Sequence, residues 1–132
     1  MYFEYRTKVY GYDCDIYGHL NNANYQKVYE AARANMLEEI GLPLDKLLSE
    51  GIHIYVKRIN IDYIKGVKFG SEITVRSYIA RLSRVKSVWH QEIYSDRGGV
   101  MNKAIIEGVF AKEGKPFRIP MEMFEQLREV LE

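Results

Sequence analysis

From residue 22 to residue 40 the apolar positions Tyr25, Tyr29, Ala32, Met36 and Ile40 return every three or four residues, while Lys27, Glu30 and Glu38 fill the opposite arc. That period predicts one amphipathic helix over 22–40. Gly41 supplies its C-cap, and Pro43 opens a short second helix over Leu44 to Leu48, closed by Gly51. Ahead of the long helix, residues 2–12 alternate, with Phe3, Tyr5, Thr7 and Val9 against Glu4, Arg6 and Lys8. This is a half-buried strand ending at Gly11.

Behind the helices come four runs rich in Ile, Val, Tyr and Phe, near 52–64, 71–82, 85–95 and 99–111. Lys65-Gly66, a tight turn around Ser83-Arg84, and Asp96-Arg97-Gly98-Gly99 separate them. Such short connections predict antiparallel neighbours. In the first run Ile52, Ile54 and Val56 share one parity and Ile59, Ile61 and Tyr63 the other, which implies a bulge or a strand covered on both faces. A closing helix is expected over 121–131, with Met121, Phe124, Leu127 and Leu131 as its apolar residues. One strand, one long helix and a run of antiparallel strands make an α+β fold in one domain, residues 1–132. A single long helix covers only one face of the sheet, which leaves part of the other for a second subunit.

Composition narrows the function classes. At 47% hydrophobic and 28% charged the chain is that of an ordinary globular protein. Lys and Arg total 19 against 18 Asp and Glu, so net charge argues for neither nucleic acid nor an anionic membrane as partner. Cys14 is the only cysteine, which excludes an internal disulfide. No run approaches bilayer-spanning length, and the opening residues carry no secretory apolar stretch, so the expected location is cytoplasmic.

The chemistry concentrates in Asp13-Cys14-Asp15-Ile16-Tyr17-Gly18-His19-Leu20-Asn21-Asn22-Ala23-Asn24-Tyr25. Gly18 permits a turn, and Asn21 or Asn22 can cap the helix that follows. The first-turn N–H groups sit at the positive end of the helix dipole, where they can hold an oxyanion, and Asp15 stands a few residues upstream. A carboxylate beside such a helix end is the minimum equipment for acyl transfer to water. On spacing alone the plainer reading is that Asp13, Asp15, Asn21, Asn22 and Asn24 cap and turn the chain.

Asp-Cys-Asp-x-x-Gly-His-x-Asn-Asn-Ala-x-Tyr followed by Glu30-Ala31-Ala32-Arg33 resembles the signature of the 4-hydroxybenzoyl-CoA thioesterase branch of the hot-dog-fold acyl-CoA thioesterases. The order of the remaining elements, including Gly114-Lys115-Pro116-Phe117-Arg118-Ile119-Pro120 and the terminal helix, follows that family over nearly the whole chain, although only the opening motif is specific. The resemblance implies a hot-dog fold, an antiparallel sheet wrapped around the long helix. It implies an acyl-CoA substrate, no cofactor, no metal, and a homodimer or homotetramer with the site between subunits. It assigns Asp15 as the catalytic carboxylate, nucleophile or general base, with the backbone N–H of Asn22 and of its neighbours Ala23 and Asn24 as the oxyanion hole. His19 would orient Asp15 or help bind substrate. Gly18, Asn21, Ala23, Asn24 and Tyr25 would line the substrate.

This chain carries His19-Leu20-Asn21-Asn22 where the hydroxybenzoyl-specific enzymes have bulky apolar or aromatic residues. That departure points to the broader Gly-His-x-Asn-Asn group rather than to an aromatic substrate. Asp13 reads as structural, and Cys14, with an acid on each side, is a poor thiolate. His53 and His90 lack metal-ligand spacing and read as strand residues. For the phosphates of CoA, Arg81, Arg84 and Lys86 at one turn and Arg58, Lys65 and Lys68 elsewhere are candidates, with Arg58 and Arg84 taken forward; a solvated hairpin is the plainer reading of the turn cluster. Two other functions fit the same residues: a hot-dog hydratase or dehydratase using Asp15 and His19, and a non-catalytic acyl-CoA-binding module.

Overall fold

The computed structural model describes residues 2–131. Strands β1 (Phe3–Lys8), β2 (His53–Tyr63), β3 (Glu72–Leu82), β4 (Lys86–Ser95) and β5 (Val100–Lys112) form an antiparallel sheet in the order β1-β3-β4-β5-β2, so β2, expected beside β3 across Lys65-Gly66, pairs instead with β5, and β1 takes the place next to β3. A two-residue strand, β6 (Lys115–Pro116), folds back on the end of β5. The helices are α1 (Tyr25–Glu39), α2 (Leu44–Ser49) and α3 (Met121–Arg128). The sheet curls around α1, so the predicted hot-dog layout is the observed one.

Alternation decides which side chains meet the helix. Ile73, Val75, Ser77 and Ile79 of β3, and Ser87, Trp89, Gln91 and Ile93 of β4, are buried on the inner face. Tyr25, Tyr29, Ala32 and Met36 of α1 are buried against them. Side chains on the other parity are only partly covered, and Ile105 of β5 is 45% exposed. The parity switch in β2 is a bulge: pairing with β5 shifts between Val56 and Arg58, and Lys57 is the extra residue. Further shifts at Ile79/Arg81 and Ile93/Tyr94 add to the curl, since bulges raise local twist.

The end of α1 closes as the sequence indicates. Gly41 takes φ +84, its N–H bonds to the Glu38 carbonyl, and the Leu42 N–H bonds to the Leu37 carbonyl. Leu37 and Leu42 are both buried, as the apolar contact of this cap requires. Helix α3 closes the same end, where the Gln126 amide donates to the Ile40 carbonyl and the Ile79 N–H to the Val130 carbonyl. Its buried face corrects the expected one. Met123, Leu127 and Val130 point inward with Ile119, while Met121 is 53% exposed, because the helix starts at Met121 and its first residue lies outside the packed stripe.

Candidate active site

The loop from Val9 to Asn21 is stitched to the segment before β3. Val9 N–H donates to Ser71 O, Leu20 N–H to Val67 O, Phe69 N–H to Gly18 O and Gly70 N–H to Val9 O. Inside this frame the chain turns back on itself, with Asp15 N–H donating to His19 O at 2.8 Å. Gly18 sits at φ +77, with nothing within 4 Å of where a Cβ would stand. Glycine is used here for its backbone conformation and not for lack of space.

The half-buried Asp15 carboxylate is anchored through one oxygen. Oδ1 accepts from Tyr17 N–H at 2.9 Å and from His19 N–H at 3.2 Å. His19 therefore orients Asp15 through its main chain, and its ring packs on Gly66. Asp13 serves the scaffold: its carbonyl accepts from Asn21 N–H and from the Asn24 amide, and its carboxylate pairs with Lys27 at 3.0 Å.

Asn21 is the cap. Its Oδ1 accepts from Ala23 N–H at 3.0 Å and its carbonyl accepts from Asn24 N–H at 2.8 Å. This i to i+3 bond makes residues 22–24 a tight 3-10 turn, and the α-helix proper begins only at Tyr25. Of the three N–H groups expected to face an oxyanion, those of Ala23 and Asn24 are already engaged. The Asn22 N–H keeps no protein acceptor among the described residues, and it lies at the positive end of α1.

Tyr63, which the sequence did not single out, donates from its hydroxyl to the Asn22 carbonyl at 3.2 Å. Its ring stands edge-on to Tyr25, with centroids 5.1 Å apart. Tyr25 itself is buried beneath the loop, where its hydroxyl accepts from Val67 N–H at 3.4 Å. A stack of Tyr25, Tyr63 and Asn22 thus fixes the helix entrance. Partial burial, then the charges of Asp15 and Asp13, push the Cys14 thiol up from its ordinary value, which disfavours a thiolate.

The fold gathers Asp15, Gly18, His19, Asn21, Asn22, Ala23, Asn24 and Tyr25 at one end of the sheet. Arg58 and Arg84 are elsewhere in the same protomer. Arg58 is exposed in mid-β2, and Arg84 sits at the β3–β4 hairpin, where its Nε donates to the Ile119 carbonyl at 2.8 Å. The length of β3 separates that hairpin from the loop, roughly 33 Å at strand rise. His53 and His90 are strand residues bonded to Tyr55 and Tyr78 hydroxyls. Among the described residues no cluster of three His, Cys, Asp or Glu could hold a metal, and no helix is long and apolar enough to cross a membrane.

A second polar group lies deeper and was also missed. Gln91 Nε2 donates to the Tyr29 carbonyl and the Ser77 hydroxyl, Gln91 Oε1 accepts from Arg33 Nη1 at 2.8 Å, and Tyr29 donates to Asn102 Oδ1 at 2.6 Å. The signal was available. Ser77, Gln91 and Asn102 occupy the inward parity of strands whose other inward residues are apolar.

A sheet curled about a single long helix, with an acid-bearing loop leading into that helix, defines the class of hot-dog-fold thioesterases. The model of the Thioesterase-like superfamily matches residues 9–127, and the chain belongs to that superfamily and is a thioester hydrolase. It is similar to the acyl-CoA thioesterase YbgC of Helicobacter pylori, 31% identical over 111 residues, covering 83% of this chain and 80% of the relative. It is similar also to the long-chain acyl-CoA thioesterase FadM of Escherichia coli, 29% identical over 129 residues and 96% and 97% of the two chains. The crystal structure of a DHNA-CoA thioesterase from Staphylococcus aureus superposes with a TM-score of 0.92 at 23% identity, covering 98% of this chain and 90% of the other.

Proposed function

We propose that this protein hydrolyses acyl-CoA thioesters to the free acid and CoA, with Asp15 as the catalytic carboxylate and the Asn22 N–H in the oxyanion hole. The observation that carries this reading is the pairing of a carboxylate fixed by Tyr17 and His19 N–H groups with an unengaged N–H at the start of α1. The oxygen of Asp15 that is not so anchored takes a proton from water, or itself attacks the carbonyl carbon. Either way the carbonyl π electrons move onto oxygen, where the Asn22 N–H and the helix dipole receive the charge. Collapse of the tetrahedral species breaks the C–S bond and releases the CoA thiolate, which takes up a proton; on the route of direct attack it leaves a mixed anhydride on Asp15, which water cleaves to the free acid and the regenerated carboxylate. A thiol of ordinary pKa is a good leaving group, so this equipment suffices without a metal.

A second copy completes the site in this reading. Strand β2 is an edge of the sheet and carries exposed Tyr55, Val56 and Tyr63, next to Ile64. Ile16 and Tyr17, beside Asp15, are 92% and 78% exposed. Antiparallel pairing of β2 with its copy sets the Tyr63 end of one strand against the His53 end of the other. The Asp15 loop of one protomer then faces the Ile54–Val56 end of its partner, and covers apolar surface that a monomer leaves wet.

The test is thiol release from a panel of acyl-CoAs by the native protein and by Asp15→Asn, with the mass in solution measured by sedimentation. Turnover should fall by about a hundredfold or more in the variant at unchanged melting temperature. Absence of thiol release from every acyl-CoA overturns the reading.

A further inference from the structure

Between α1 and the inner face of β2, β4 and β5 lies a hollow of about 270 Å³. Leu44 and Val56, 43% and 50% exposed, stand at its mouth, and Leu37, Trp89 and Ile106 form its buried wall. These residues are apolar. Two charged residues also line it: Arg33, a half-buried guanidinium on the same wall, and Glu30, exposed at the rim.

The position of Arg33 is fixed from behind. Its Nη1 donates to Gln91 Oε1, and the Gln91 amide cannot turn, because its nitrogen is spent on the Tyr29 carbonyl and the Ser77 hydroxyl. Gln91 is a neutral partner. The ion pairs among the described residues join Lys27 to Asp13, Arg76 to Glu4, Lys103 to Glu92 and Arg128 to Glu125, and none includes Arg33. Glu30, one turn earlier, stays exposed at the rim beyond ion-pair distance. Burial lowers the Arg33 pKa from its ordinary value, with Glu30 opposing, yet a guanidinium does not give up its proton in this range. A half-buried cation set among apolar groups, with one neutral acceptor and Glu30 beyond ion-pair distance, is stabilised by an anion that joins it.

We propose that this hollow is the acyl pocket and that Arg33 selects acyl groups that end in a carboxylate, so that the preferred substrates are CoA mono-thioesters of dicarboxylic acids. This rests on the acyl-thioester reading above. The mouth at Leu44 and Val56 is the end of β2 that meets the Asp15 loop of the paired copy, and Arg33 lies further in. The acyl chain enters from the partner's loop, runs past Leu37 and Trp89, and delivers its carboxylate to the guanidinium in a charge-assisted pair. At about 30 Å³ per water-sized group the hollow has room for about nine non-hydrogen atoms, the size of a five- or six-carbon dicarboxylyl group. A plain alkyl chain of that length would fill the apolar wall and leave the guanidinium facing methyl groups.

The experiment compares the mono-CoA thioester of the six-carbon dicarboxylic acid with hexanoyl-CoA. With native protein, kcat/KM for the dicarboxylyl ester should exceed that for hexanoyl-CoA by about tenfold to a hundredfold, the weight of one charge-assisted hydrogen bond. Arg33→Gln should bring the two kcat/KM values together, chiefly by raising KM for the dicarboxylyl ester, and Arg33→Lys should keep part of the preference. The same comparison by calorimetric binding to Asp15→Asn, with and without Arg33→Gln, reads the selection without hydrolysis. Equal or inverted preference in native protein, by either measurement, overturns the carboxylate assignment. Selective binding without any thiol release would leave it standing and sink the hydrolysis reading instead.

Discussion

Replacing Tyr29 by Phe removes a single oxygen from the centre of the molecule. Tyr29 and Asn102 are both wholly buried, and the hydroxyl donates to Asn102 Oδ1 at 2.6 Å. The Asn102 Nδ2 already lacks a partner among the described residues, so Tyr29→Phe leaves the whole amide unsatisfied. The loss should be about 1–3 kcal/mol, the cost of an orphaned buried acceptor. For 132 residues at roughly 2.1 cal/mol/K of unfolding entropy per residue, that is a fall of about 4–11 °C in melting temperature. Calorimetry at fixed protein concentration measures it, fixed because association shifts melting. The double variant Tyr29→Phe/Asn102→Leu should recover part of the loss, since both polar partners then go together.

The same residue predicts a pH effect. Burial, then the neighbouring Tyr25, Glu92 and Tyr63, raise the Tyr29 pKa far above its ordinary value. A raised folded-state pKa contributes stability that is fully present below the unfolded value, about 10, and is lost as pH climbs above it, because only the unfolded chain can ionise there. Between about pH 10 and pH 12 native protein should lose stability more steeply than Tyr29→Phe, by up to about one proton's slope, 1.4 kcal/mol per pH unit. An unchanged melting temperature at pH 7, or identical alkaline slopes, would refute the buried-donor account.

Three other outcomes are expected. Asn21→Ala deletes the acceptor of Ala23 N–H, and should lower stability by about 0.5–2 kcal/mol in denaturant titration and reduce kcat by loosening Asn22. Gly41→Ala forces a side chain into φ +84 with its Cβ 3.1 Å from Gln126, costing about 1–2 kcal/mol with turnover unchanged. A single turnover in heavy-oxygen water, followed by mass spectrometry of the loop peptide, tests direct attack at Asp15: label in the carboxylate shows an anhydride opened by water at Asp15, whereas label only in the acid product comes from activated water or from an anhydride opened at the acyl carbon.

Much of the fold was legible because its signals are local. The 3.6-residue period of α1, its Gly41 cap, the alternation of β1, and the parity switch that became the Lys57 bulge each depend on a few neighbouring residues. The loop was legible for the same reason, since Gly18 and Asn21 act within one turn of where they stand. The face of α3 was not. Met121 and Met123 are chemically alike, and only the angle at which that helix meets the end of the sheet decides which is buried.

The sequence by itself determined the strand–helix–strand order, the alternation of β1, the parity switch of β2 and the acid loop at the helix entrance. Tertiary structure alone decided that Tyr63 reaches back across 41 residues to Asn22, and that Arg33 meets Gln91 across 58. It also put Arg84 at the opposite end of the sheet from Asp15. The physical reason is that a propensity or a period fixes dihedral angles along the chain, whereas partners distant in sequence are set by strand register and by the rotation of α1 over the sheet. Those are properties of the packed whole, and the surroundings of Asn22 and Arg33 follow from them.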